Sequence, residues 1–379
     1  MFAAVLKESG HKYLSRSYGN RKVWIVYQGS CYKIPENAWY HANGNSGTVN
    51  QSENKLTFKM TTATIEILKR ELPELKEGVF LKDYTTFKIG GPAELFLIAE
   101  NEATLIKAIK IAKEHDIPVF PFGGGSNLLV SDDGIKGLVI KQHNQQFSLD
   151  GNVITAGGGI DMKEMVDFSI EHSLKGLEWA GGLPGTLGGA VRGNAGAFGG
   201  EIKDTILEVT ALDNNLELRT FSKEECDFAY RSSTFKKNNW VVVTVKLQLE
   251  TGDQKALREI ADSRIAYRKE RHPLDFPNSG SIFKNVAYEK FNEEFKEVFV
   301  NSIKKDPFPV IPTAILISEA DLKGTTIGKA QVSEKHPNFI INLGGATAED
   351  VASLISLVKE KIKDKYDIEL EPEVQFVGF

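Results

Sequence analysis

From residue 94 onward, short apolar runs alternate with stretches whose apolar residues recur three and four apart, a pattern that predicts strands and helices in turn. An apolar run over 94–99 is followed by Leu105, Ile106, Ile109 and Ala112 at helical spacing. A buried strand over 119–122 comes next, then strands over 137–141 and 153–156 and a helix over 161–173. Strands resume over 206–213, 216–221 and 240–249, and a charged helix from about 253 to 271 bridges to a last segment, 275–379. There Thr347-Ala348-Glu349-Asp350 is a capping-box pattern, opening a helix whose Val351, Leu354, Ile355, Val358 and Ile362 form one apolar stripe. A final strand over 368–377 sets apolar Val374 and Phe376 against polar Glu371, Glu373 and Gln375, so its two faces should do different jobs.

The first 59 residues show no sustained period, and the stretch 41–54 is almost wholly polar, a composition expected to order poorly. Thr61 and Thr62 suit the cap of a helix over 63–75, which puts the start of the compact protein near Met60. Residues 1–59 then read as an appended or mis-started leader, with a small strand-forming cap domain as the alternative.

Two glycine-rich segments interrupt the alternation. Gly123-Gly124-Gly125-Ser126-Asn127 follows the strand over 119–122 directly, and its three glycines free the backbone to take positive φ and approach a ligand. The second segment, 181–200, holds nine glycines in twenty residues, among them Gly182, Gly185, Gly188 and Gly189, with Ala190 after them. Backbone N–H groups of this kind, with a helix N-terminus nearby, hold phosphates. Neither segment is G-x-G-x-x-G between strand and helix, nor G-x-x-x-x-G-K-[ST], which disfavours a nicotinamide-type dinucleotide fold and a simple NTPase. Either one alone reads equally well as a tight turn. Two of them about 60 residues apart, one with Asn194-Ala195-Gly196 embedded, favour a bound diphosphate.

Composition narrows the partners. A chain of 379 residues, 41% apolar and 26% charged, is long enough for more than one packed core, and two or three domains are expected. A net charge of -5 provides no global basic field for nucleic acid or acidic lipid, while leaving room for a local phosphate pocket. Cys31 and Cys226 stand alone, in neither disulfide nor zinc spacing, and fit a reducing cytoplasm. No apolar run approaches the roughly 20 residues of a membrane helix, and residues 1–13 lack a signal peptide's core. The seven histidines form no metal-binding pair, and no obligate protein partner is indicated.

Three polar residues stand out only weakly by type. Arg231, in Asp227-Phe228-Ala229-Tyr230-Arg231-Ser232-Ser233, would ordinarily be a solvated surface group. Ser281 would be a turn serine, with no G-x-S-x-G elbow to make it a hydrolase nucleophile. Glu373 would face solvent on an edge strand beside Pro372.

Taken in order, Tyr84-Thr85-Thr86-Phe87-Lys88-Ile89-Gly90-Gly91-Pro92-Ala93, the two glycine segments, Tyr230-Arg231, Gly280-Ser281-Ile282-Phe283-Lys284-Asn285 and Leu370-Glu371-Pro372-Glu373-Val374 resemble the UDP-N-acetylenolpyruvoylglucosamine reductases. The resemblance runs from about Thr61 to the C-terminus and leaves residues 1–59 outside it. The short interval from Arg231 to Ser281 is similar to the family's compact subtype.

The resemblance implies an α+β protein with the vanillyl-alcohol-oxidase (PCMH)-type FAD fold. Its two FAD-binding subdomains would span 60–141 and 142–252, and a C-terminal α+β substrate-binding domain with the bridging helix would span 253–379. It implies noncovalent FAD, in keeping with the lack of an attachment histidine beside Gly123. The implied cofactor contacts are Gly91, Gly123, Gly124, Gly125, Ser126, Asn127, Gly182, Gly185, Gly188, Gly189 and Ala190. NADPH and the UDP-sugar enolpyruvyl ether would use one pocket in turn, with hydride reaching C3 of the enolpyruvyl group. By motif, Arg231 and Glu373 stabilise the negative charge that develops and Ser281 protonates C2. Tyr230, Lys284 and Asn285 match substrate contacts. Val286, Phe198 and Asn278-Ser279 depart from the family's usual proline, tyrosine and alanine, and bear on loop geometry. The competing readings are an oxidase on the same scaffold and a flavin-binding protein without turnover.

Overall fold

The computed structural model describes three short strands between residues 15 and 33, and residues 62–379 except 306 and 307. The chain forms two compact units, Met1–Thr61 and Thr62–Phe379. The first holds a three-stranded antiparallel sheet, Ser15–Tyr18, Lys22–Tyr27 and Ser30–Lys33. The polar stretch 41–54 lies outside the described residues.

The second unit opens with helix Thr62–Glu71 and a four-stranded sheet ordered Lys76–Phe80, Pro92–Ala99, Ile135–Gln142, Val119–Phe122. The first pair is antiparallel and the other two are parallel. A parallel pair needs a crossover. Helix Glu102–Glu114 supplies one, burying Leu105, Ala108, Ile109 and Ala112, and Asn101 caps it by accepting from Thr104 N–H at 2.8 Å.

A five-stranded antiparallel sheet follows, ordered Leu218–Ser222, Ile206–Leu212, Val241–Gln248, Val153–Gly157, Phe147–Asp150. Helices Met162–Glu171 and Leu187–Gly193 share its core, together with Trp179, Phe221 and Phe235. The bridging helix Gln254–Arg271 contributes Leu257 and Ala261 to this same middle core.

The last segment builds a four-stranded antiparallel sheet, Asn278–Ser281, Phe339–Asn342, Ala330–Val332, Thr326–Ile327, against helix Ala348–Tyr366. That helix buries the stripe of Val351, Leu354, Ile355, Val358 and Ile362. Its capping box is reciprocal: Thr347 Oγ1 accepts from Asp350 N–H at 3.0 Å, and Asp350 Oδ2 accepts from Thr347 N–H at 3.1 Å. Such a cap stabilises a helix by about 1 kcal/mol. The segment is also tied to the connections that flank the four-stranded sheet opening this second unit. Phe87, Ile89 and Leu129 are buried in its core, Asp132 Oδ2 accepts from Ala348 N–H at 2.7 Å, and Asn342 Nδ2 donates to the Phe87 carbonyl at 3.1 Å.

The expected strand over 368–377 is shorter and changes partner midway. Residues 371–373 run beside 282–284 through Lys284 N–H to Glu371 O and Glu373 N–H to Ile282 O. Only Gln375–Val377 is a regular strand, and it pairs parallel with Leu128–Val130. The switch breaks the alternation: Val374 is buried, whereas Phe376 is 38% exposed.

Candidate active site

The two glycine segments lie in atomic contact. A Cβ on Gly123 would fall 2.1 Å from Thr186 Oγ1, and one on Gly124 would fall 2.7 Å from Gly185 Cα. Gly125 adopts φ +62°, and a Cβ there would fall 2.2 Å from the Tyr84 carbonyl oxygen. The N–H groups of Gly123, Gly124, Gly125 and Ser126 meet no acceptor among the described residues. Four successive unpaired donors make a concave nest for an anion such as a diphosphate.

The second segment contributes differently. Leu187, Gly188 and Ala190 donate to the carbonyls of Ile160, Gly158 and Thr186 at 2.8–2.9 Å, and Gly189 donates to Thr186 Oγ1 at 3.4 Å. The first turn of that helix is therefore satisfied inside the protein. Gly188 serves close packing, because a Cβ there would sit 2.8 Å from the Gly158 carbonyl, and Ala190 is buried. Gly182 and Gly185 keep unpaired N–H groups. Gly91 donates to the Ser131 carbonyl at 2.9 Å and lets the chain pass the Asp132 carbonyl. Asn127 donates from Nδ2 to the Glu373 carbonyl at 3.0 Å, linking the first glycine loop to the C-terminal segment.

Arg231 sits at the tip of a two-residue turn, closed by paired 3.0 Å hydrogen bonds between Ala229 and Ser232. Its φ of +54° is left-handed, a conformation that costs a residue with a side chain about 1 kcal/mol or more. Asn194 Nδ2 holds the Ala229 carbonyl at 3.1 Å, and Arg231 Nη2 donates to the Gly196 carbonyl at 3.2 Å. Nε comes within 2.8 Å of Glu373 Oε1, although its N–H is not aimed along that line.

Glu373 is not the solvent-facing edge residue its neighbours predicted, because the change of strand partner turns it inward; its side chain is 20% exposed. Burial pushes its carboxyl above the usual carboxylate range, opposed by Arg231 first and then by Lys236 and Lys284. Its N–H donates to the Ile282 carbonyl at 2.7 Å, which sets Ser281 one residue from the backbone anchoring the acid. Asn338 fixes that strand from the other side. Its carbonyl accepts from Ile282 N–H at 2.8 Å, its Oδ1 accepts from Phe283 N–H at 3.1 Å, and its Nδ2 donates to the Phe283 carbonyl at 2.9 Å. Three distant stretches of chain thus meet at one place.

Tyr230 and Asn285 are brought together as well, with Asn285 N–H donating to the phenol oxygen at 3.4 Å. Burial pushes the Tyr230 hydroxyl up, and the Arg231 guanidinium lies 5.3 Å from its ring centre. Asn285 Oδ1 accepts from Thr313 N–H at 3.2 Å, while Lys284 is ion-paired to Glu371. Sequence reasoning missed Lys236, Asn338 and Arg268. Asn338 and Arg268 carry no local signal; Lys236 follows Arg231 by five residues, close enough to have been weighed with it.

Over 313 residues the chain is 39% identical to the UDP-N-acetylenolpyruvoylglucosamine reductase of Clostridium novyi (strain NT), covering 82% of this chain and 94% of that protein. It belongs to that family. The corresponding protein of Heliobacterium modesticaldum is 42% identical over 298 residues, 78% of this chain and 88% of its own. The C-terminal domain model of UDP-N-acetylenolpyruvoylglucosamine reductase matches residues 272–377, and an FAD binding domain model matches 93–222. The crystal structure of the reductase from Thermus caldophilus superposes with a TM-score of 0.64 at 30% identity, covering 80% of this chain and 99% of that one. The chain has the α+β architecture of an FAD-binding domain joined to the reductase C-terminal domain, and its cofactor is FAD.

The residues present fit that cofactor. Among the described residues, the buried side-chain polar atoms without a hydrogen-bond partner are Thr86 Oγ1, Arg231 Nε, Arg264 Nε, Arg268 Nη2, Ser279 Oγ and His336 Nδ1. Such orphans are rare in native proteins and call for a ligand or ordered water. Several border the glycine segments: Thr86 N–H donates to the Gly125 carbonyl at 3.2 Å, and Arg268 Nε donates to the Gly181 carbonyl at 3.0 Å. Among the described residues no group of three His, Cys, Asp or Glu side chains could hold a metal, and no helix is long and apolar enough to cross a membrane.

Proposed function

We propose that this enzyme reduces the enolpyruvyl ether of UDP-N-acetylglucosamine to UDP-N-acetylmuramate, with NADPH as hydride donor, in peptidoglycan precursor synthesis in the cytoplasm. The observation that carries the residue assignment is the Arg231 guanidinium 2.8 Å from the inward-facing Glu373, on the backbone next to Ser281. In this reading 60–141 and 142–252 hold the cofactor and 253–379 covers the substrate, with the Gly123–Ser126 donors, Gly182 and Gly185 facing the FAD diphosphate.

The chemistry FAD would supply, held at the Gly123–Ser126 donors, is hydride taken from the nicotinamide donor and passed to C3 of the enolpyruvyl group. Negative charge then develops at C2 and spreads into the adjoining carboxylate. Arg231 is already held in place to meet that charge, which spares the reorganisation that water would require. A bare carboxylate at 373 would repel it. Burial raises the Glu373 carboxyl and favours the protonated form, which donates a hydrogen bond instead. Ser281 delivers its hydroxyl proton to C2. Tyr230 and Asn285, already joined to one another, line the approach of the sugar nucleotide, and Lys284 adds positive charge there.

Stopped-flow absorbance of the bound flavin tests this. NADPH should bleach the oxidised flavin, and the enolpyruvyl sugar nucleotide, added anaerobically to the reduced enzyme, should restore the colour. Reoxidation by air alone, unaffected by the sugar nucleotide, would identify an oxidase; a flavin that NADPH never bleaches would identify a protein without turnover.

A further inference from the structure

We infer that Lys236 is a positioning residue for the reaction: its ammonium pins the Arg231 carbonyl and so holds the Arg231 guanidinium against Glu373. This rests on the assignment of Arg231 and Glu373 proposed above.

The contact is specific. Lys236 Nζ donates to the Arg231 carbonyl at 3.0 Å, reaching back five residues from helix Thr234–Asn238. That helix is a firm mount. Phe235 is fully buried against Phe221, with ring centres 5.4 Å apart, and Ser233, also fully buried, caps the helix and donates to the Arg192 carbonyl at 2.7 Å. The turn it holds is less secure by itself. At φ +54° Arg231 occupies a region that side chains disfavour, and the turn relaxes unless its peptide groups are tied. Asn194 ties the Ala229 carbonyl and Lys236 ties the Arg231 carbonyl, one on each side of the tip.

Lys236 sits among charges. Burial pulls its ammonium down, Lys284 and Arg192 pull the same way, and Glu373 and Glu371 oppose them. The Arg231 carbonyl gives this half-buried amine a fixed acceptor.

The test uses the FAD-loaded enzyme and compares Lys236→Met, Arg231→Lys and the double variant in both half-reactions. Lys236→Met should keep its flavin, leave reduction by NADPH within about threefold, and slow reoxidation by the sugar nucleotide roughly 10- to 100-fold, with Lys236→Arg recovering part of the loss. Because Lys236 acts through Arg231, adding Lys236→Met to Arg231→Lys should cost little more, a coupling that a general loss of stability would not produce. Additive losses, or normal reoxidation in Lys236→Met, would overturn the inference. Normal reoxidation in Arg231→Lys would instead overturn the site assignment itself. If Lys236→Met does not retain FAD, the same cycle with Lys236→Gln decides the matter by the same criterion.

Discussion

Gly124→Ala should weaken FAD binding without disturbing the fold elsewhere. The new Cβ would lie 2.7 Å from Gly185 Cα, whereas ordinary contact begins near 3.4 Å, so the two glycine segments must part by about 0.7 Å. The obstacle is backbone and has no rotamer to swing away. Overpacking of this size costs about 1–3 kcal/mol. If the strain is relieved only when the cradle opens, FAD affinity falls by roughly 5- to 150-fold, at 1.4 kcal/mol per tenfold. Titrating apoprotein with FAD and following flavin fluorescence measures the dissociation constant, and melting the apoprotein shows whether the fold has suffered. Gly189→Ala is the control, since its Cβ would meet only Thr186 Oγ1 at 3.5 Å and alanine favours a helix over glycine by up to about 1 kcal/mol. Parental FAD affinity in Gly124→Ala, or an equal loss in Gly189→Ala, would refute the reasoning.

Ser281→Ala should leave flavin reduction by NADPH nearly normal and slow the sugar half-reaction at least about 10²-fold, the usual effect of losing a positioned acid; equal damage to both halves removes Ser281 from that role. Asn338→Ala strands the Phe283 N–H and carbonyl, and should destabilise the protein by about 2–4 kcal/mol in denaturant titrations; a loss below about 1 kcal/mol would show that the clamp is dispensable. Acid should destabilise the fold through the neighbouring His272 and His336, whose ring centres are 5.4 Å apart and which burial pulls down from 6.5 to about 4. Between those values the unfolded chain binds more protons than the folded one, so stability falls as pH drops from about 6.5 to 4. The ceiling is roughly 3 kcal/mol per ring, reduced by the partial exposure of both. His272→Gln should flatten the fall in melting temperature over that range, and an unchanged slope would count against the pair.

Much of the fold was legible along the chain because its signals are local. The capping box at Thr347 and the stripe from Val351 to Ile362 opened and buried one helix as read, and the apolar runs over 94–99 and 119–122 became neighbours of one strand, Ile135–Gln142. The reading failed where the partner of a segment mattered. Residues 368–377 look like one alternating strand, yet they leave 282–284 for Leu128–Val130, so the polar Glu373 faces inward and the apolar Phe376 outward. Glycine content likewise could not tell a nest from a packing contact: Gly123 and Gly124 keep free donors, while Gly188 gives its N–H to Gly158.

By itself the sequence determined the ordered motifs that mark the family and the residue types available for its chemistry, because these need only spacing along one chain. The tertiary structure decided which of them meet. Arg231, Glu373 and the Ser281 strand come from separate segments, and the positive φ at Arg231, the inward turn of Glu373 and the reach of Lys236 exist only once those segments pack. Burial then pushes the carboxyl above the usual carboxylate range, since desolvation depends on what surrounds a group in space and not on its neighbours in sequence.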